Sequence, residues 1–256
     1  MAHRGESAAV PENTLLSLKR AVEIGVDFVE TDVRLTKDDE FVLFHDDTLL
    51  RTTGVSGTIR DKTLDELKQI DFGRTFTLDE GATYPFRDKG HTVLTLKKAF
   101  DAFPDILINL DIKDKDLHAP DLLARLIEEN GREDSVMVGS FHDAQIYKFR
   151  KIMPNVKTSA CPSEVTRFVF ALKMRVLRLF ARGCNYEAFQ VPIKYGSIRV
   201  VTERFVMAAH DRNIAVHVWT INEKDEMENL IDMGVDGIFT DNPSLLRDIL
   251  VERHLI

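Results

Sequence analysis

Glu30 and Asp32 stand two residues apart in the stretch DFVETDVRL at 27–35. In a strand, alternate side chains share a face, so both carboxylates point the same way, beside Phe28. Like charges side by side repel, and burying either is costly unless something compensates. A divalent cation is the simplest compensation, because hard cations take carboxylate oxygens. The plain alternative is a solvated strand end. Other reactive types close other apolar runs: His3 and Arg4 in AHRG, His45 and Asp46 in FVLFHD, Asp111 and Lys113 in ILINLDIK, and Trp219 in HVWTIN.

This set suits the cleavage of a phosphodiester. That reaction needs the anion neutralised, the leaving oxygen protonated and a nucleophile deprotonated. A metal on Glu30, Asp32 and Asp111 acts as Lewis acid and orients the phosphate. Arg4 and Lys113 pair with phosphate oxygens. His3 and His45 serve as base and acid, since imidazole titrates near neutral pH. Each residue also has a plainer role: His45 as a strand end, Lys113 as an offset to Asp111, Trp219 in the core, Glu12 and Asn13 as caps of the first helix. His217 alternates into a strand and reads as structural. Cys161 reads as a small buried hydrophobe.

The elements that must position these groups alternate along the chain. Strand-like runs fall at 27–33, 41–45, 106–112, 135–140, 157–161, 188–192, 214–220 and 236–240. Helical patterns fall at 13–24, 120–130, 142–152, 199–212, 222–233 and 243–252, with Asn13, Asn222 and Asn242 placed as N-terminal caps. Repeated strand–helix units imply parallel strands with right-handed crossovers. The expected fold is α/β, a (β/α)8 TIM barrel formed by residues 1–256 as one domain; a doubly wound sheet is the alternative. In a barrel the catalytic groups sit at the C-terminal ends of strands, where these residues stand. Residues 46–95, rich in Thr, Gly and Asp, break the alternation and read as a small insertion after the second-strand region.

Composition bounds the reading. The chain has 256 residues, 44% hydrophobic and 30% charged, an ordinary globular make-up. A net charge of −8 argues against a nucleic-acid partner. Two cysteines, Cys161 and Cys184, lack metal-ligand spacing, and a reducing cytoplasm is the default compartment. Neither a signal peptide nor a membrane-spanning run is visible.

Read together, HRG-x5-PENT (His3 to Thr14), ExD (Glu30, Asp32) and HD-x2-L-x-RTT-x3-G (His45 to Gly57) resemble the glycerophosphodiester phosphodiesterase family. NLDIK at 109–113, VHVWTIN at 216–222 and GVDGIFTDNP at 234–243 continue the likeness nearly end to end. The resemblance implies a TIM barrel with a small insertion and a divalent-metal phosphodiesterase. It implies His3 and His45 as the acid/base pair, Glu30, Asp32 and Asp111 as ligands of Mg²⁺ or Ca²⁺, and Arg4 and Lys113 on the phosphate. Asp111 stands where many soluble members carry Glu, and its NxDIK setting resembles the lysophospholipase D branch. Asp is one methylene shorter, so the cation must sit closer to that strand or bind through a water.

Residues 163–183 form the second departure. Arg167, Arg175, Arg178 and Arg182 fall in one arc of a helical wheel, opposite Val165, Phe168, Val169, Leu172, Val176, Leu179 and Phe180. A basic amphipathic helix in an acidic chain reads as a membrane-surface element over 165–182, on the active-site side and bordering the substrate entrance. The alternative is a barrel helix packed on its strand. The expected substrates are small glycerophosphodiesters or lysolipids, for a cytoplasmic enzyme peripheral at a membrane. A soluble phosphodiesterase that releases glycerol 3-phosphate and a non-catalytic barrel that binds lipid head groups are the other two readings.

Overall fold

The computed structural model describes residues 1–177 and 185–256. Its strands, in chain order, are β1 (Ala2–His3), β2 (Phe28–Leu35), β3 (Phe41–Leu43), β4 (Leu107–Ile112), β5 (Val136–Gly139), β6 (Lys157–Thr158), β7 (Ala188–Pro192), β8 (Lys194–Tyr195), β9 (Ile198–Arg199), β10 (Ala215–Trp219) and β11 (Gly237–Ile238). Parallel ladders join β1, β2, β4, β5 and β6 in that order, and β7, β10 and β11 in a second sheet. Two parallel bridges close the ring: Ser159 to Ala188, and Ala2 to Thr240. The result is a TIM barrel. Closure removes both free edges, so short strands of two residues are held from either side.

The strand count needs one exchange. The run at 41–45 is not a barrel stave: β3 pairs antiparallel with β2, Val33 opposite Leu43. The first stave is instead Ala2–His3, too short to show any periodicity and defined only by its partners on β2 and at Thr240. The β2–β3 hairpin opens the insertion, and an antiparallel bridge from Val42 to Thr95 closes it. Inside, Val42, Phe44, Leu49, Ile59, Leu67, Phe72 and Val93 form a separate small apolar cluster. Two short helices, Leu50–Thr53 and Leu64–Leu67, and the barrel helix Leu96–Ala102 were not legible from the pattern.

The helix caps also differ. Thr14, not Asn13, caps the helix Leu15–Ile24, in a box with Ser17; Asn13 lies outside it with φ 54°. Glu223 precedes the helix Lys224–Asp232, and Asn222 instead bonds Asp241. Asn242 caps Pro243–Glu252 as expected. The pattern at 199–212 starts on the last residue of the β8–β9 hairpin and is helical only over Glu203–His210.

The basic segment is not one helix over 165–182. Its helix spans Pro162–Lys173, and Arg175 has φ 58°, a left-handed turn that stops it. The apolar face packs inward: Phe168 lies 4.6 Å from Phe189 and 5.5 Å from Phe205, with Val165 and Val169 against the same core. The helix also runs away from the active-site face. Arg212, in the turn that leads into β10, donates to the Leu177 carbonyl at 3.1 Å, which puts this end at the strand N-termini. Arg178 and Arg182 lie outside the described residues. Among the described residues no helix is long and apolar enough to cross a membrane.

Candidate active site

Strand register gathers the acids. Glu30 sits opposite Asn109 and Asp32 opposite Asp111 in the β2–β4 ladder, and His3 opposite Glu30 in β1–β2. One face of β2 and the matching face of β4 therefore point into the barrel. Deeper in, Gln190 of β7 donates to Asn109 Oδ1 at 2.6 Å, a bond that must cross the lumen because β5 and β6 separate the two strands in the sheet. Gly139 ends β5 here; a Cβ on it would meet Ser159 Oγ at 2.7 Å.

The loop after β1 wraps over the acids. Arg4 has φ 59° and Gly5 φ 81°. A Cβ at Gly5 would lie 2.5 Å from the Ser17 backbone, so only glycine lets this loop close on the first helix. The Arg4 backbone N–H donates to Glu30 at 3.3 Å, and its guanidinium bonds Glu12 at 2.9 Å. Arg4 Nε lies 3.2 Å from Asp32 but is not aligned to donate, so that contact is charge attraction only. Asn13 donates to Asp32 at 3.4 Å and accepts from Thr31 at 2.7 Å. Its strained backbone is what turns its side chain into the site rather than onto the helix.

Lys113 sits between two carboxylates, 2.9 Å from Asp32 and 2.6 Å from Asp111. The charges divide unevenly. Burial pushes Asp32 upward, but Lys113 and Arg4 outweigh it and hold the group below the usual carboxylate range. Burial dominates at Glu30 and, with Asp32 beside it, pushes that carboxyl well above the range. Asp111 is also raised by burial, with Lys113 offsetting only part. Lys113 itself is raised: burial opposes its charge, but Asp111 and Asp32 outweigh burial.

The two histidines stand beside this cluster. His3 Nδ1 is 2.6 Å from Asp241 Oδ1, and its Nε2 is 3.9 Å from Glu30. Burial lowers the His3 pKa, but Asp241 and Glu30 more than reverse it. Asp241 is itself anchored by Ser7 at 2.9 Å and Asn222 at 2.7 Å; against burial His3 first, then these two, hold it near 2. His45 Nδ1 is 2.8 Å from Asp46, and its ring lies near enough for its charge to act on Asp32 and Asp111. Arg51 grips Asp46 at 2.6 and 3.0 Å and Glu12 with two bonds of 2.7 Å, so the insertion is tied to the first loop. Trp219 stands at the rim, edge-on to Phe141 at 5.6 Å, and Lys113 Nζ lies 5.2 Å from the Phe141 ring centre.

All eight expected residues thus converge: His3, Arg4, Glu30, Asp32, His45, Asp111, Lys113 and Trp219. Their arrangement places one of the chain's own cations among the acids. Among the described residues no three His, Cys, Asp or Glu side chains meet at metal-holding distance; the Lys113 ammonium takes the place between Asp32 and Asp111. The donor chemistry still fits a hard cation. Asp111 Oδ1 is buried without a partner, and the Glu30 charge is under-compensated. Five contributing residues were missed: Asp241, Arg51, Glu12 as a bridge, Asn13 and Phe141. Asp241 was detectable by the rule that found the others, since it follows the last stave in TDNP.

A closed barrel with paired histidines, three acids and two cations at one mouth defines a phosphodiester hydrolase built on a TIM barrel. Residues 3–245 match the glycerophosphoryl diester phosphodiesterase family, and the chain belongs to it. A glycerophosphodiester phosphodiesterase of Caldanaerobacter subterraneus is 33% identical, over 98% of this chain and 96% of that one. Human lysophospholipase D GDPD1 is 27% identical over 98% of this chain and 85% of its own. An Oleispira antarctica phosphodiesterase, solved with its product sn-glycerol-3-phosphate, superposes with a TM-score of 0.79 at 26% identity, covering 98% of this chain and 95% of that one. The chain is accordingly a phosphodiesterase.

Proposed function

We propose that the enzyme cleaves glycerophosphodiesters or lysophospholipids between the glycerol phosphate and the alcohol head group, with His3 and His45 as the proton-transfer pair. The observation that carries this is the symmetry of the two rings. Each has its Nδ1 held by a carboxylate, Asp241 or Asp46, which fixes the tautomer and frees Nε2 for chemistry. Against Asp32 stand Arg4 and Lys113, the cations that suit phosphate oxygens.

One ring takes the proton from the attacking oxygen, a water or the substrate's own glycerol hydroxyl. The other gives a proton to the departing alcohol. Attack by the hydroxyl yields a cyclic phosphate; attack by water yields an open phosphomonoester. Glu30, Asp32 and Asp111 would hold a divalent cation, Mg²⁺ or Ca²⁺, which supplies Lewis-acid polarisation of the phosphate when bound. Asn13 steadies Asp32, and the Arg51 bridge keeps Asp46, and so His45, in register with the first loop.

The exposed ring of Phe141 beside Trp219 gives the mouth an apolar edge, which favours substrates that carry an acyl chain over fully deacylated ones. The test is product analysis on lysophosphatidylcholine beside glycerophosphocholine, with and without Mg²⁺ or Ca²⁺. Choline release from both, faster from the lysolipid, is expected. Release of fatty acid instead, or cleavage of neither, would overturn the reading. Liposome co-sedimentation tests membrane contact, which the inward packing of Pro162–Lys173 leaves without support from that helix.

A further inference from the structure

The β8–β9 hairpin serves neither the core nor the histidine site. Every residue from Lys194 to Arg199 is exposed, Tyr195 at 77% and Ile198 at 40%. The ladder pairs Lys194 with Arg199 and Tyr195 with Ile198 around a Gly196–Ser197 turn, where Gly196 takes φ 56°. Directly opposed residues share a face, so one face of the ribbon is cationic and the other is tyrosine and isoleucine. The cationic face is matched within the fold: Lys194 and Arg199 line a hollow of about 480 Å³ together with Glu203, Glu226 and Asp232. The apolar face is not matched; among the described residues neither Tyr195 nor Ile198 lines that hollow or joins a core cluster.

The ribbon stands beside the mouth. It follows β7 by one residue, and Pro192 at the end of β7 is in register with Trp219 at the end of β10. The Trp219 ring in turn meets Phe141, itself 55% exposed. The base of the ribbon is fixed: the Val200 and Val201 N–H groups both donate to the Ile193 carbonyl, at 2.9 and 3.2 Å, and both valines are buried in the core. A rooted ribbon cannot fold its apolar pair back into the core, so that pair leaves water only by entering another body. Tyrosine suits a lipid–water boundary, with its ring in the apolar layer and its hydroxyl among the head groups. The net charge of −8 and the acids beside Lys194 and Arg199 oppose an anionic surface. We propose that Tyr195 and Ile198 dock the mouth of the barrel on a zwitterionic phospholipid surface. The docking deepens the lysolipid reading and rests on it for its use, since such a surface is where a lysolipid is held.

The probe is phosphatidylcholine vesicles, co-sedimented with the full chain in the absence of substrate. The wild type should pellet with them, and less with vesicles of phosphatidylglycerol. The variant Tyr195→Ser/Ile198→Ser, altered at two exposed positions, should bind roughly tenfold more weakly, with an unchanged melting temperature and an unchanged kcat/KM on dissolved glycerophosphocholine. Phe170→Ser/Met207→Ser, which removes exposed apolar groups from two outer helices, should bind as the wild type does. No pelleting of the wild type, undiminished binding of the hairpin variant, an equal loss in the helix variant, or tighter binding to phosphatidylglycerol would each overturn the proposal. Docking is read without turnover, so a wild type that pellets but leaves lysophosphatidylcholine uncut would overturn the substrate reading and leave the docking in place.

Discussion

The two histidine corners use the same device in different settings. His3 lies on the first stave, 16% exposed at its side chain, and its carboxylate comes from the far end of the chain, 238 residues away. His45 lies in the insertion, 36% exposed, and takes its carboxylate from the next residue. The first corner is made by barrel closure, the second by local sequence with Arg51 as a brace. A histidine–carboxylate pair built by closure inherits the rigidity of the barrel. One built on a loop depends on whatever ties the loop down, here the Arg51 bridge to Glu12.

The sharpest way to break the comparison is to remove each ring. His3→Ala and His45→Ala should each lower kcat/KM roughly 10²–10⁴-fold. A p-nitrophenyl phosphodiester, whose leaving group needs no proton, then separates the roles: the acid's variant recovers much of its rate and the base's variant does not. Equal behaviour of the two variants on this substrate would end the idea of distinct roles. Next in size is Lys113→Met, which strips the ammonium from between Asp32 and Asp111. Leaving buried charges unpaired costs about 3–5 kcal/mol, so the melting temperature should fall, and added Mg²⁺ or Ca²⁺ should restore part of it. No response to either ion would count against a cation at these carboxylates.

Smaller effects test the clamps. Asp241→Asn should cost roughly 10–100-fold in kcat, with KM little changed, because an outer partner orients the ring rather than touching substrate. Asp46→Asn should cost about tenfold, since His45 keeps its place through Arg34, which donates to the His45 carbonyl at 2.8 Å. A larger loss at Asp46 than at Asp241 would reverse the ranking of the two corners.

A third histidine supplies the contrast without any clamp. His217 is buried on β10, its Nδ1 has no hydrogen-bond partner among the described residues, and burial lowers its pKa to about 4. Between pH 6.5 and 4 the unfolded chain binds this proton and the fold does not. Stability is therefore present above the unfolded pKa and lost as pH falls across that window, by up to about 3 kcal/mol. His217→Gln should flatten the melting temperature over that range; an unchanged slope would show that the ring finds a partner on protonation.

Much of the site was legible because its chemistry follows from type and spacing. Glu30 and Asp32 share a face by the period of a strand, and Asp111 and Lys113 repeat the pattern, wherever the strands go. What stayed hidden involves pairs distant in sequence or too brief to have a period. Ala2–His3 is a stave only because β2 and Thr240 flank it. Asn13 looked like a helix cap, since a cap and an inward-turned side chain share one sequence signal and only the backbone at φ 54° separates them. The amphipathic pattern at 165–172 was real, but a wheel cannot say whether its apolar face meets lipid or Phe189.

Residue types and local periodicity thus determined which chemistry the chain carries, its alternating strands and helices, and the eight residues that meet. Tertiary structure alone decided who neutralises whom, Lys113 between Asp32 and Asp111 and Asp241 behind His3, and that Leu177, just past the helix Pro162–Lys173, meets the turn before β10. The reason is that periodicity is a property of neighbours along the chain. The energy of a buried charge is set by whichever groups barrel closure brings within a few ångströms.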